Sequence, residues 1–197
     1  AVDGQGIISG VGDVNVSMPG TYQLSFNYTD LAGNSAETLM RTVRVIDTIS
    51  PMINLIGDSN ITHPAMVPYV DQGAVWKDLA DGRGKAFALG EVDVTKPGTY
   101  SIVYSAKDKS GNVARKVTRS VTVIDTDAPI ITMRGNAIIS HEAGTEYVDL
   151  GATWMDSVDG TGEALAEGSV NSFIPGVYAI FYTFIDSNGN AAPTVTR

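Results

Sequence analysis

The stretch KPGTYSIVYSAKDKSGN, residues 96–112, reads as a single β-strand with a turn at each end. Tyr100, Ile102, Tyr104 and Ala106 alternate with Thr99, Ser101, Ser105 and Lys107. Successive strand side chains point to opposite faces, so the first set is expected to meet a core and the second to meet water. Pro97 and Gly98 turn the chain into the strand, and Asp108, Gly111 and Asn112 turn it out again. In such a D-x-x-G-N turn the Asp carboxylate accepts backbone N–H groups just ahead of it, while Gly and Asn tolerate positive φ.

Close copies of this stretch stand at MPGTYQLSFNYTDLAGN (18–34) and IPGVYAIFYTFIDSNGN (174–190). Pro19, Pro97 and Pro175 are spaced 78 residues apart, and the same step joins Asp30, Asp108 and Asp186, then Asp3, Asp81 and Asp159. It also pairs Tyr69 with Tyr147, Trp76 with Trp154 and His63 with His141. Nearly half the aligned positions of the second and third copies are identical, without a gap. A fixed period of this kind signifies tandem modules. The expected units are 1–47, the C-terminal part of a first repeat; 48–125, a complete second repeat; and 126–197, a third repeat short of its last few residues. Were the native chain to begin and end there, unpaired sheet edges would recruit strands from other copies.

Within a repeat, strand follows strand. Apolar or alternating runs at 51–57, 60–63, 69–77, 87–94, 99–107 and 113–125 are each bounded by Gly, Pro, Asp or Asn. No window sustains a 3.6-residue apolar period. Short strands with frequent turn signals predict an all-β sandwich. Tyr22, Tyr100 and Tyr178 each precede an aliphatic position (Leu24, Ile102, Ile180) by two residues, the placing of the tyrosine corner of immunoglobulin-like sandwiches.

Composition narrows the function classes. The formal charge is −9, which argues against nucleic acid, whose phosphates call for clustered Lys and Arg. There is no Cys, hence no disulfide, thiolate metal site or cysteine nucleophile. No apolar run approaches the ~20 residues that span a bilayer, so no membrane insertion is expected.

The order Gly57, Tyr69-Val70-Asp71, Gly73-Ala74, Asp81-Gly82, Pro97-Gly98-Thr99-Tyr100, Asp108, Gly111-Asn112 and the closing Val121 to Asp125 resembles the bacterial immunoglobulin-like repeat of large secreted and cell-surface proteins. It is similar to the class that also occurs in a pesticidal crystal protein, and more distantly to hyalin-type repeats. The resemblance covers the whole chain. It implies tandem immunoglobulin-like β-sandwiches with an extracellular or cell-surface location, serving as spacers, adhesin stalks or accessory domains without a shared active site. Members often carry Asp after the Asp-Gly pair, where this chain has Gln5, Arg83 and Thr161.

Several residues could carry chemistry. Asp125 and Asp127 lie in the linker between repeats, and Asp156 and Asp159 in one short loop. Calcium takes six to eight oxygens, several from carboxylates, so these four are the calcium candidates. Their alternative role is to close turns and keep the linker solvated. The linker at Asp47 has Ile49 where Asp127 would stand, so the spacing is not repeated there. His63 and His141 lack nearby partners for a hydrolase or a zinc site and are expected to pack or hydrogen-bond within the module. Trp76 and Trp154 are expected in the core, with sugar stacking as the alternative. No nucleophile, base and oxyanion donors converge, so no enzymatic role is expected. Asn15, Asn27 and Asn60 open N-x-S/T triplets.

The copies differ most on one face. The outward set of the quoted strand is Thr21, Gln23, Ser25 and Thr29 in the first repeat, and Thr99, Ser101, Val103 and Lys107 in the second. In the third it becomes Val177, Ala179, Phe181 and Ile185, with Phe173 and Ile174 also apolar. An exposed apolar patch marks an interface, expected through Phe173, Ile174, Phe181 and Ile185. The expected function is a non-enzymatic structural segment of a surface fibre, adhesin stalk or filament. Its partners would be neighbouring repeats of the same polypeptide or identical chains, joined at sheet edges or by that face. The alternative is a carbohydrate-binding accessory module whose partners are surface glycans.

Overall fold

The computed structural model describes residues 5–197. All regular structure among them is β. The first repeat contributes a hairpin of β1 (Gly20–Phe26) and β2 (Leu39–Val45), in antiparallel register from Gly20 opposite Val45 to Phe26 opposite Leu39. The middle repeat carries β3 (Met52–Leu55), β4 (Asn60–Pro64), β5 (Ala74–Asp78), β6 (Gly82–Lys85), β7 (Phe87–Leu89), β8 (Gly98–Ser105) and β9 (Val117–Ile124). The third carries β10 (Ile130–Met133), β11 (Ala152–Asp156), β12 (Gly160–Glu163), β13 (Leu165–Glu167), β14 (Phe181–Thr183) and β15 (Val195–Thr196). Each of these two repeats forms two sheets: β3-β5-β6 and β4-β9-β8-β7 in the middle one, β10-β11-β12 and β13-β14-β15 in the third.

The alternation in the quoted strand holds. Ile102 and Tyr104 are buried while Thr99 and Ser101 face outward. In β9 the buried face carries Arg119, Val121 and Val123, so a charged residue occupies a core position. β4 differs from the antiparallel pairs β1–β2, β3–β5, β5–β6 and β7–β8. It runs parallel to β9, with Asn60 opposite Ser120 and Pro64 opposite Ile124.

The chain divides into two compact units, and the division passes through the middle repeat. One unit holds residues up to Ser59 with Asp71–Gly90 and Ile102–Arg119; its buried apolar side chains are Ile53, Ala74, Ile102, Tyr104 and Ala114. The other holds Asn60–Val70, Glu91–Ser101 and Ser120–Arg197. Its core gathers Ala152, Ile180 and Tyr182, with Ile131, Met133 and Tyr147 against them.

Two local readings change. The strand expected over 69–77 begins only at Ala74, because Asp71 accepts the Gly73 N–H at 3.0 Å and Gly73 has φ 82°. β6 and β12 were not expected from their polar, Gly-rich sequences. They form because a β-hairpin folds Gly84 and Gly162 against Trp76 and Trp154: a Cβ on either glycine would lie 2.8 Å from the indole. A strand position that must admit an indole that closely has room for no side chain.

Candidate functional site

Three loops, separated in sequence, converge around Asp47. The residue lies two positions after the end of β2; Asp78 and Asp81 belong to the β5–β6 hairpin; Asp108 opens the turn after β8. Carboxylate oxygens of Asp47, Asp81 and Asp108 lie within 4.8 Å of one another. Local backbone donors hold them in place. Ile49 N donates to Asp47 Oδ1 (3.0 Å), and Ala80 N and Asp81 N donate to Asp78 Oδ1 (2.8 and 3.0 Å). Asn112 donates from its backbone and its side chain to Asp108 (2.7 and 2.8 Å), and its amide also reaches the Asp47 carbonyl at 3.3 Å. The backbone N–H of Lys109 and then its ammonium, 3.1 Å from Asp81 Oδ1, hold the Asp81 carboxyl below the usual carboxylate range.

The second unit repeats the arrangement one period later. Oxygens of Asp125, Asp156 and Asp159 lie within 4.8 Å of one another. Val158 N and Asp159 N donate to Asp156 Oδ1 (2.7 and 3.0 Å), and Asn190 Nδ2 reaches the Asp125 carbonyl at 3.3 Å. Asp186 accepts from Asn190 through both backbone and side chain, at 2.7 and 2.8 Å. Asp125, Asp156 and Asp186 are all buried. Burial pushes the Asp125 carboxyl up, and the negative charges of Asp156, Asp186 and Asp127 add to that against the opposing Asp127 N–H.

Of the four sequence candidates, Asp125, Asp156 and Asp159 are thus brought together, while Asp127 is not in the group. Asp127 acts through its backbone N–H, which donates to Asp125 Oδ1 at 3.1 Å. Ile49 supplies the same N–H to Asp47, so the difference in side chain at that linker position does not prevent the cluster from recurring. Asp47, Asp78, Asp81, Asp108 and Asp186 are not among the four candidates named from the sequence. The signal was present in the 78-residue register, which carries Asp47 and Asp81 onto Asp125 and Asp159, and Asp78 and Asp108 onto Asp156 and Asp186. Asp3, the matching acid of the first repeat, lies outside the described residues.

The other candidates have structural partners. His63 Nε2 meets the Val67 carbonyl at 2.9 Å and packs edge-on against Tyr69; His141 does the same with the Thr145 carbonyl at 3.2 Å and Tyr147. Trp154 is half-buried and stacks on Phe184 with ring centroids 3.9 Å apart. Phe173, Ile174, Phe181 and Ile185 are exposed, at 77, 59, 44 and 63 %. A cavity of about 360 Å³ opens in the third repeat between residues 137–147 and Ile174 to Ile180, reaching Arg197.

The sequence reading also missed two buried arginines. The Arg119 side chain is fully buried and donates to Asp71, to Tyr104 Oη at 3.1 Å and to the carbonyls of Ile56 and Asp58. Burial disfavours the Asp71 anion, but hydrogen bonds from Tyr104 and Arg119 outweigh it and hold that carboxyl below its ordinary range. Arg197 repeats the arrangement with Asp149 and the carbonyls of Arg134 and Asn136. Burial, reinforced by the bond to Asp149, pushes the Tyr182 phenol up to about 12.

Repeated two-sheet modules with a tyrosine hydroxyl returned to the carbonyl four residues back define a tandem immunoglobulin-like protein: Tyr22 to Met18, Tyr100 to Lys96 and Tyr178 to Ile174, at 2.8, 2.8 and 2.9 Å. The chain belongs to the family of bacterial surface protein Ig-like domains, which matches it three times, over residues 3–45, 53–123 and 131–197. It is 28% identical over 198 residues to hyalin of Strongylocentrotus purpuratus, covering 88% of this chain and 16% of hyalin. It is 26% identical over 191 residues to an uncharacterised 81.3 kDa protein of Acholeplasma phage L2, covering 87% of this chain and 25% of that protein. The chain therefore spans a quarter or less of the length of these relatives. Among solved structures it is similar to the lipoprotein BT2262 from Bacteroides thetaiotaomicron, with a TM-score of 0.34 and 20% identity over 67% of this chain and 60% of that one.

Proposed function

We propose that the chain is a non-enzymatic, extracellular structural segment, a run of spacer modules in a surface fibre or adhesin stalk. One observation carries the reading: the side chains that recur every 78 residues are taken up in building the module. The tyrosines cap loop carbonyls, the histidines bond their own loops, the arginines fill cores and the Asp-Gly-Asn turns close hairpins. Membership of the surface Ig-like family supports the location. The first partners are the neighbouring repeats of the same polypeptide.

The exposed apolar set of the third repeat supports association with a second copy through Phe181 and Ile185. Sedimentation of the intact chain, with Phe181→Ser and Ile185→Ser beside it, tests this. A self-association lost in both variants is expected; a monomer at every concentration removes the copy-to-copy contact. A glycan array separates the spacer from a carbohydrate-binding module. No saturable binding is expected, and saturable binding to a defined glycan would replace the spacer reading.

A further inference from the structure

We propose that each of the two aspartate clusters is a calcium site. The first would be formed by Asp47, Asp78, Asp81 and Asp108, the second by Asp125, Asp156, Asp159 and Asp186. Acidic residues at a surface are common without an ion, so convergence alone carries little. The decisive feature is what the carboxylates of the first cluster lack, whereas in the second Asp125 Oδ2 accepts from Asn188 Nδ2 at 3.2 Å. Asp47 Oδ2 and Asp78 Oδ2 are closed off from solvent and accept no hydrogen bond, although their sister oxygens are each held by backbone donors. A buried carboxylate oxygen without a donor is costly unless a cation meets it.

Compensating charge is scarce around both clusters. In the first, Lys109 reaches Asp81, but its side chain is 85% exposed and engages neither Asp47 nor Asp78. In the second, the position matching Lys109 is Ser187, and among the described residues no Lys, Arg or His forms an ion pair with any of the four carboxylates. Three anions within 4.8 Å are far closer than the ~8 Å over which salt screens charges at physiological ionic strength. The 78-residue step maps the four acids of one cluster one to one onto the four of the other, so the same cradle is built twice from independent stretches of chain.

The donor set selects the ion. It is all oxygen, which excludes the soft and imidazole-favouring metals, and both histidines are committed elsewhere. Carboxylates delivered by three separate loops form an irregular cage, which suits the flexible six-to-eight-oxygen shell of calcium better than the strict octahedron of magnesium. A bound ion would fasten the linker aspartate to the hairpin and to the D-x-x-G-N turn. The inference is independent of whether the module is a spacer or binds glycans.

Calorimetric titration of the chelator-treated intact chain with calcium chloride, and separately with magnesium chloride, is the test. Two calcium ions per chain are expected, with Kd at or below about 1 mM, the weak end for extracellular modules. Magnesium should bind at least tenfold more weakly. Asp81→Asn and Asp159→Asn should each lower the stoichiometry from two to one, and the double variant should bind none. Retained circular dichroism at saturating chelator shows that each variant is folded. No calcium binding by the unmodified chain overturns the proposal whatever the variants do. So does binding that the double variant keeps, or equal affinity for magnesium.

Discussion

The middle and third repeats share their motif residues yet differ where the sheet closes. In the middle repeat β4 is a strand because residues 120–124 of β9 run beside it. In the third repeat the matching residues, Ile138 to Glu142, form no strand and border a cavity. The arginine cage does not follow the same rule. Arg197 finds Asp149, the carbonyls of Arg134 and Asn136 and the Tyr182 ring much as Arg119 finds Asp71, Ile56, Asp58 and Tyr104. The cage therefore forms in both repeats, whereas the parallel pairing of β4 forms in the middle one. In the first repeat Arg41 lies over the Phe26 ring and is exposed.

Substitution of the three arginines is the most direct way to break this comparison. Arg119→Ala should cost about 3–5 kcal/mol in denaturant unfolding, because it strands Asp71 and two carbonyls in a buried site. Arg197→Ala should cost less, since its cage borders the open cavity, and Arg41→Ala no more than about 1 kcal/mol, the range of an exposed cation–π contact. Equal losses at Arg119 and Arg41 would sink the idea that burial in the cage sets the cost.

A middling effect is expected where a glycine admits an indole. Gly84→Ala and Gly162→Ala should each destabilise by about 1–3 kcal/mol through overpacking, and both should quench or shift the fluorescence of the facing Trp. Smaller still, Tyr100→Phe should lose about 1 kcal/mol with the bond to the Lys96 carbonyl, and Tyr22→Phe and Tyr178→Phe should match it. Unequal losses would show that the third repeat's tyrosine corner is not equivalent to the others.

Protonation probes the two cages without substitution. Asp71 and Asp149 have folded carboxyls held below their ordinary range, so their contribution is present above the unfolded carboxylate pKa and is lost as pH falls through the folded one. Tyr182 runs the other way. Its phenol is raised from 10.0 to about 12, so its contribution is complete below pH 10 and fades as pH climbs toward 12. Tyrosinate absorbance in an alkaline titration checks this; ionisation of every tyrosine at the free-phenol pH would contradict it.

Much of the module could be read from residues 96–112. Pro97-Gly98, the Tyr100–Ile102–Tyr104 alternation and the Asp108 to Asn112 turn are local signals, and each appears where it was placed. Less legible was what depends on distant segments. Arg119 sits on the inward face of an alternating strand, Val117, Arg119, Val121, Val123, but its carboxylate and carbonyl acceptors lie 46 to 63 residues away. The first aspartate cluster draws on three loops and the second on at least two, and Asp127, nearest to Asp125 in sequence, contributes a backbone N–H and not a carboxylate to the group. Proximity along the chain is a poor guide to which acids meet in space.

The parallel pairing of β4 with β9 has a mechanical consequence. The chain enters β4 at its leading end and leaves β9 at its trailing end, so tension along the polypeptide draws the two strands past each other lengthwise. Five residue pairs then resist together in shear, where antiparallel partners joined by a hairpin would open one rung at a time. Rupture of the middle repeat would accordingly be abrupt, with the whole ladder failing at one force.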